Sequence, residues 1–212
     1  MFNFNSGSVN LQKKIDFKYF VSQFVSENAK NVVYLHSAGY LKSKTEPGEV
    51  DVIKDLCPDH NIICPMSNGD IFNPDSVHEC ILDFFNKKGV KNRETIMIGF
   101  SMGARGCWDY GFEYSNTIVN TIFPMSGYGC YLRTQKLGSL MSVIVHNEDD
   151  RVIHPNQSKM MHQSHDLSIY YGFRYGGHSI ANLYRLPKSI FSCSVRERMD
   201  LIEMNRKENN EG

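Results

Sequence analysis

The sequence predicts an α/β domain built on a mostly parallel sheet, and three observations carry that prediction. Short apolar runs of strand length recur at 31–36, 61–65, 94–100, 117–123, 140–146 and 167–173. Helix-length segments separate them, and strands joined by helical crossovers pair in parallel. The runs are apolar throughout instead of alternating, as expected when both faces of a strand are covered. The length of 212 residues with 41% hydrophobic side chains suits one core, so residues 1–212 are expected to form a single domain.

The elements follow in order. Residues 1–30 form an N-terminal edge strand or extension: 16–25 (DFKYFVSQFV) is compatible with a strand or a helix, and an antiparallel edge strand is preferred. Asn31–His36 (NVVYLH) is a buried strand closed by the small turn residues Ser37, Ala38 and Gly39. Val50–Cys57 is a short helix, and Asn61–Pro65 (NIICP) is a second buried strand. Pro74–Lys88 places Val77, Ile81, Phe84 and Phe85 at helical spacing, with Asp75 near the start and Gly89 past the end. Glu94–Phe100 is a strand and Met102–Tyr114 a helix, in which Trp108 is expected to be buried packing. Strands at 117–123 and 140–146, a helix at 155–163 and a strand at 167–173 follow. Pro187–Asn205 reads as a terminal helix and 207–212 as a frayed tail.

Charge and composition exclude several classes. Lys+Arg and Asp+Glu are both 23, so there is no basic surplus to hold nucleic acid or an anionic membrane. No stretch reaches the roughly 18–20 apolar residues of a membrane span. The start, MFNFNSGSVNLQKKIDF, lacks the basic and apolar regions of a signal peptide, so a cytoplasmic protein is expected. The six cysteines form no CxxC pair and no zinc-spaced cluster, and isolated thiols are expected. The oligomeric state is open.

The chemistry concentrates at Gly99-Phe100-Ser101-Met102-Gly103, a G-x-S-x-G between a strand and a helix. A serine on that sharp turn projects its hydroxyl from the sheet edge, and flanking glycines avoid collisions with nearby backbone. Ser101 is therefore the candidate nucleophile. In this arrangement an acid and then a histidine follow in chain order. Asn147-Glu148-Asp149-Asp150 follows the strand at 140–146; Asp150 is favoured as the acid because Val152 and Ile153 can pack its loop down, with Asp149 and Glu148 as alternatives. His178 lies in Tyr175-Gly176-Gly177-His178-Ser179 after the last strand, and of eight histidines it alone has that position. The three are about fifty and about thirty residues apart, room for one or two βα units each. The oxyanion donors are expected to be the amide of Met102 and one from the turn 36–40, with Ala38 preferred over Gly39. Tyr40, Phe100, Tyr128 and His154 neighbour these loops and are candidates for substrate contact, with core or surface packing the other use for each.

These residues resemble the α/β-hydrolase superfamily, in particular its small esterase and predicted-peptidase branch related to dienelactone hydrolases and carboxylesterases. Val33–Gly39 resembles that family's His-Gly oxyanion turn, and Gly99–Gly103 with Gly106 and Trp108 its nucleophile elbow. Val145–Val152 resembles its H-G-x-x-D-x-x-V acid loop, which selects Asp150 over Asp149, and Gly177-His178 its base loop. Ser37, Ala104 and Asn147 stand where the family usually has glycine. The resemblance implies an α/β-hydrolase fold and a serine hydrolase that cleaves a small-molecule ester or thioester through an acyl-enzyme, using no metal or organic cofactor. Only about a dozen residues lie between Met125 and Leu140, where larger hydrolases of this fold insert lid helices, so an open, shallow site is expected. Two alternatives compete. One is a non-catalytic binding protein on the same fold. The other is a metal-dependent hydrolase using His162 and His165, whose spacing does not fit H-E-x-x-H.

Overall fold

The computed structural model describes residues 18–67, 69, 71–115 and 117–210. Among them, seven strands form one sheet: β1 (Lys18–Gln23), β2 (Asn31–Leu35), β3 (Asn61–Met66), β4 (Thr95–Phe100), β5 (Val119–Met125), β6 (Met141–Asn147) and β7 (Ser168–Phe173). Their spatial order is β1-β3-β2-β4-β5-β6-β7. Only β1 is antiparallel; it pairs with β3 at the sheet edge, and every other pairing is parallel. Of the segment expected at the N-terminal edge, residues 16–17 lie outside the described residues, as do 1–15.

The crossover helices are α1 (Val50–Leu56), α2 (Pro74–Lys88), α3 (Met102–Tyr114) and α4 (Asn156–Ser164), followed by α5 (Ser189–Ser192) and α6 (Val195–Asn210). Strand residues alternate between two cores, as a period of two requires. Val33, Leu35 and Met97 pack with Ile81, Phe84 and the buried Trp108 of α2 and α3. Val32, Tyr34, Ile96 and Ile98 face Ile53 of α1 and Ile190 and Phe191 of α5. The six cysteines are unpaired thiols.

α2 has its expected ends because both signals are local. The Asn73 side chain accepts the Ser76 amide hydrogen, and Gly89 closes the helix at φ 62°. β5 begins two residues later than expected, because the Thr117 hydroxyl donates to the Tyr114 carbonyl at the end of α3. The helix expected over Pro187–Asn205 is broken after Ser192. Ser194 and Glu197 form a reciprocal capping box: the Glu197 amide donates to Ser194 Oγ at 3.3 Å, and the Ser194 amide donates to Glu197 Oε2 at 2.6 Å. α6 runs on through Asn210 into the expected tail, since no helix breaker precedes Gly212; residues 211–212 lie outside the described ones. Between β5 and β6, a 3-10 turn at Tyr131–Leu137 packs on α3 through the buried Leu137 and stands in place of a helical lid.

Candidate active site

Four loops leaving the carboxyl ends of parallel strands build the site. Ser101 follows β4 and precedes α3. Its backbone sits at φ 56°, ψ −113°, a left-handed conformation worth about 1–3 kcal/mol of strain in a non-glycine residue. Neighbouring backbone holds it there. The Ser101 amide donates to the Met125 carbonyl at the end of β5 (2.9 Å), and the Ser101 carbonyl accepts the Ala104 amide hydrogen (3.0 Å).

The flanking glycines are required by close approach. A Cβ on Gly99 would collide with the Gly103 carbonyl, and one on Gly103 would collide with the Leu35 carbonyl, its carbon 2.5 Å away. The first turn of α3 therefore rests directly on the end of β2. That contact brings the turn 36–40 beside Ser101.

The His178 loop follows β7. His178 Nε2 lies 2.9 Å from Ser101 Oγ, and Nδ1 lies 2.8 Å from Asp150 Oδ2. A carboxylate only accepts, so the hydrogen sits on Nδ1 and Nε2 accepts from the serine hydroxyl. The Phe100 ring packs against the imidazole at 4.9 Å between centroids. The Asp150 side chain is wholly buried. Its Oδ1 accepts the amide hydrogens of Val152 (2.8 Å) and Ile153 (3.1 Å). Burial pushes the Asp150 carboxyl up, but the hydrogen bonds from His178, Ile153 and Val152 outweigh it and hold the group below the usual carboxylate range. Asp150 is thus a buried, ionised acceptor.

A second histidine, His146, lies on the far side of Asp150, with Nε2 at 3.3 Å from Oδ2. Nε2 donates to the Ile153 carbonyl at 2.9 Å, and burial lowers the pKa, so the ring is neutral.

The other acids of the cluster have different places. Asp149 accepts the amide hydrogens of Gly177 (2.8 Å) and Gly176 (3.3 Å), immediately before His178. Gly176 and Gly177 adopt φ 140° and 56°, conformations that favour glycine. Glu148 pairs with Lys159 on α4 at 2.7 Å.

Met102 is the first residue of α3, where helix geometry leaves the amide hydrogen without an intrahelical partner. Ala38 and Gly39 are exposed in a single 3-10 turn. On one side of that turn, the Ser37 carbonyl accepts the His36 Nδ1 hydrogen at 2.7 Å, while His36 Nε2 accepts the Ser67 amide hydrogen at 3.2 Å. Burial lowers the His36 pKa, consistent with a neutral ring making both bonds.

The three positions that depart from the hydrolase pattern each find a contact. The Ser37 hydroxyl donates to Glu49 Oε1 at 2.5 Å. Asn147 donates to the Gly177 carbonyl at 2.6 Å, bracing the His178 loop. Ala104 is fully buried against Gly127, where a second Cβ would leave no room. Neither Glu49 nor the bracing roles of Asp149 and Asn147 has a signal in the sequence; all depend on partners from other loops.

Of the candidates for substrate contact, Phe100 is only 7% exposed and packs behind His178. Tyr40 is half-buried, edge-on to His36. Tyr128 is exposed, with the Arg105 guanidinium over its ring at 5.3 Å. His154 is exposed, and its Nδ1 accepts the Asn156 amide hydrogen at the start of α4.

Two grooves, of about 950 and about 440 Å3, lie at the β1 edge and between α2 and α3; Ser101 and His178 line neither. Among the described residues, no three His, Cys, Asp or Glu side chains group to hold a metal ion. His162 and His165 bond separately, to the Ser168 hydroxyl and the Leu140 carbonyl. Among the same residues, no helix is long and apolar enough to cross a membrane.

Compared by sequence, the chain matches no family model and no curated protein. Compared by structure, it is similar to a thermostable esterase, at 15% identity and TM-score 0.60 over 89% of this chain. The chain spans 58% of the length of that esterase. It is also similar to a protein from Thermoplasma acidophilum described as a predicted CIB-like hydrolase (18% identity, 88% of this chain, 92% of that one, TM-score 0.59). A third likeness is to an α/β-hydrolase enzyme from a sediment metagenome of the Mar Chica lagoon, Morocco (14% identity, 92% of this chain, 96% of that one, TM-score 0.56). With the seven-stranded order above, these likenesses establish the α/β-hydrolase fold.

Proposed function

We propose that this chain is a serine hydrolase that cleaves carboxylic esters or thioesters of small molecules by acyl transfer. The observation that carries the reading is the continuous chain Ser101 Oγ–His178 Nε2 (2.9 Å) and His178 Nδ1–Asp150 Oδ2 (2.8 Å), with the hydrogen placed for Nε2 to act as base. Ser101 Oγ attacks the carbonyl carbon as its proton passes to Nε2. Asp150 holds the Nδ1 hydrogen and stabilises the imidazolium. The amides of Met102 and Ala38 take the oxyanion, at about 3 kcal/mol each by the usual measure. Collapse of the tetrahedral intermediate breaks the bond to the leaving group, which takes the proton from Nε2. Water then attacks the acyl-enzyme with its proton passing to Nε2; collapse of this second tetrahedral intermediate breaks the acyl–Oγ bond, Oγ takes the proton back from Nε2, and the carboxylic acid leaves. The names of the structural neighbours, esterases among them, agree with this chemistry.

Exposed Ala38 and Gly39 and the short 3-10 turn after β5 leave the site open. Tyr40, Tyr128 and His154 neighbour these loops and are taken as its substrate-facing side chains; the turn after β5 supplies no helix to enclose a long chain, so short acyl groups are taken as its substrates. The test is fluorophosphonate labelling beside a p-nitrophenyl ester panel. Wild type should label and Ser101→Ala should not, and acetate should be cleaved faster than octanoate. Folded wild type that neither labels nor turns over any ester refutes the hydrolase reading. Preference for octanoate refutes the short-acyl part alone.

A further inference from the structure

The turn after β2 is tied to one carboxylate that the chemistry above does not use. Glu49, just before α1, accepts three hydrogens: from the Tyr34 hydroxyl (2.7 Å), the Ser37 amide (3.1 Å) and the Ser37 hydroxyl (2.5 Å). Tyr34 is buried in β2, and Ser37 lies three residues on, across the bend where the strand becomes the turn. The carboxylate therefore braces the exit angle of the strand. Burial, with the Glu49 charge beside it, holds the Tyr34 hydroxyl well above its ordinary pKa, so it stays a donor.

The brace also decides which amide is left for substrate. The Ser37 amide is occupied by Glu49, so it cannot serve. The next peptide unit joins the Ser37 carbonyl to the Ala38 amide. His36 Nδ1 draws that carbonyl inward at 2.7 Å. A trans peptide is planar, and its N–H points opposite its C=O. With Ser37 clamped through amide, hydroxyl and carbonyl, the Ala38 N–H is directed away from His36, in an exposed turn whose first residues abut the start of α3. Preorganised donors are effective because they need no reorientation as charge develops.

We propose that Glu49 is a positioning residue for the oxyanion hole, holding Ser37 so that the Ala38 amide faces the developing oxyanion. The inference rests on the serine-hydrolase reading. It also gives the serine at position 37 a use, since a glycine there would offer Glu49 one hydrogen fewer.

The test compares Glu49→Ala, Glu49→Gln and Ser37→Ala, each corrected for active fraction by fluorophosphonate titration. Glu49→Ala should lower kcat about tenfold or more with KM within about twofold, against the 10²–10³ loss typical when an oxyanion donor is removed outright. Affinity for a boronate transition-state analogue should fall in parallel with kcat, which a purely structural role would not produce. Glu49→Gln, which keeps one acceptor oxygen, should recover part of the loss. The double variant Glu49→Ala/Ser37→Ala should be no worse than Glu49→Ala, because both break one brace. Should Glu49→Ala fail to fold, Glu49→Gln and Ser37→Ala must still lower kcat and boronate affinity together. Active wild type beside folded variants with unchanged kcat and boronate affinity overturns this inference alone. Inactive, unlabelled wild type overturns the hydrolase reading and this inference with it.

Discussion

Replacing Asp150 by Asn changes the hydrogen-bonding character of one buried position and little of its shape. The two backbone amides of Val152 and Ile153 converge on Oδ1, and His178 Nδ1 meets Oδ2 at 2.8 Å. Asparagine offers one acceptor oxygen and one NH2 group. The oxygen must take the site where two amide donors converge, so the NH2 faces His178 Nδ1. Two donors cannot share that contact. The imidazole then carries its hydrogen on Nε2, against Ser101 Oγ, and can no longer receive the serine proton. A change of tautomer of this kind costs about 10⁴ in kcat, or about 5.4 kcal/mol of transition-state stabilisation. The assay is p-nitrophenyl acetate turnover, with circular dichroism to check the fold. Asp149→Asn is the comparison: among the described residues, Asp149 meets the amides of Gly176 and Gly177. Loss of one charge-assisted bond of about 1.5 kcal/mol should cost no more than about tenfold. Folded Asp150→Asn within tenfold of wild type, or Asp149→Asn the more damaging of the two, refutes the assignment of the acid.

Two further predictions concern stability. Burial lowers the pKa of His36, His60 and His146. The unfolded chain then binds the extra protons, so the stability these groups contribute is full above about pH 6.5 and lost as pH falls below it. Tm should fall between about pH 7.5 and about pH 5.5, and a flat or rising Tm over that range contradicts the neutral-ring assignment. Asp150 has the opposite acid–base type and a depressed pKa; its contribution is present above about pH 4 and disappears at lower pH. Gly103→Ala places a Cβ 2.5 Å from the Leu35 carbonyl carbon, backbone against backbone. Urea unfolding should show a loss of about 3 kcal/mol or more, with reduced turnover as the elbow is forced away from the turn 36–40. Wild-type stability in this variant contradicts the packing of α3 on β2.

Where the sequence reading met the structure, end signals that stand apart from the apolar pattern held, and those hidden within it were missed. α2 matches at both ends because Asn73 and Gly89 act within one turn. The elbow matches because G-x-S-x-G encodes its own close packing. The break before α6 was also written locally, as Ser194-x-x-Glu197, but helical periodicity on either side hides it. The start of β5 shifted because a threonine side chain was engaged by the preceding helix end, which a count of apolar residues does not register.

By itself, the sequence determined an α/β sheet with buried parallel strands and the strand–Ser101–helix turn between β4 and α3. Those features follow from residue periodicity and from backbone conformations that few residue types tolerate, and both are properties of short segments. The tertiary structure alone decided how the acids are distributed: Asp150 to the His178 ring, Asp149 to the backbone before it, Glu148 to Lys159, and Glu49 to the turn after β2. A carboxylate can accept from any donor within reach. Which donor comes within reach is set by how strands far apart in sequence stack side by side.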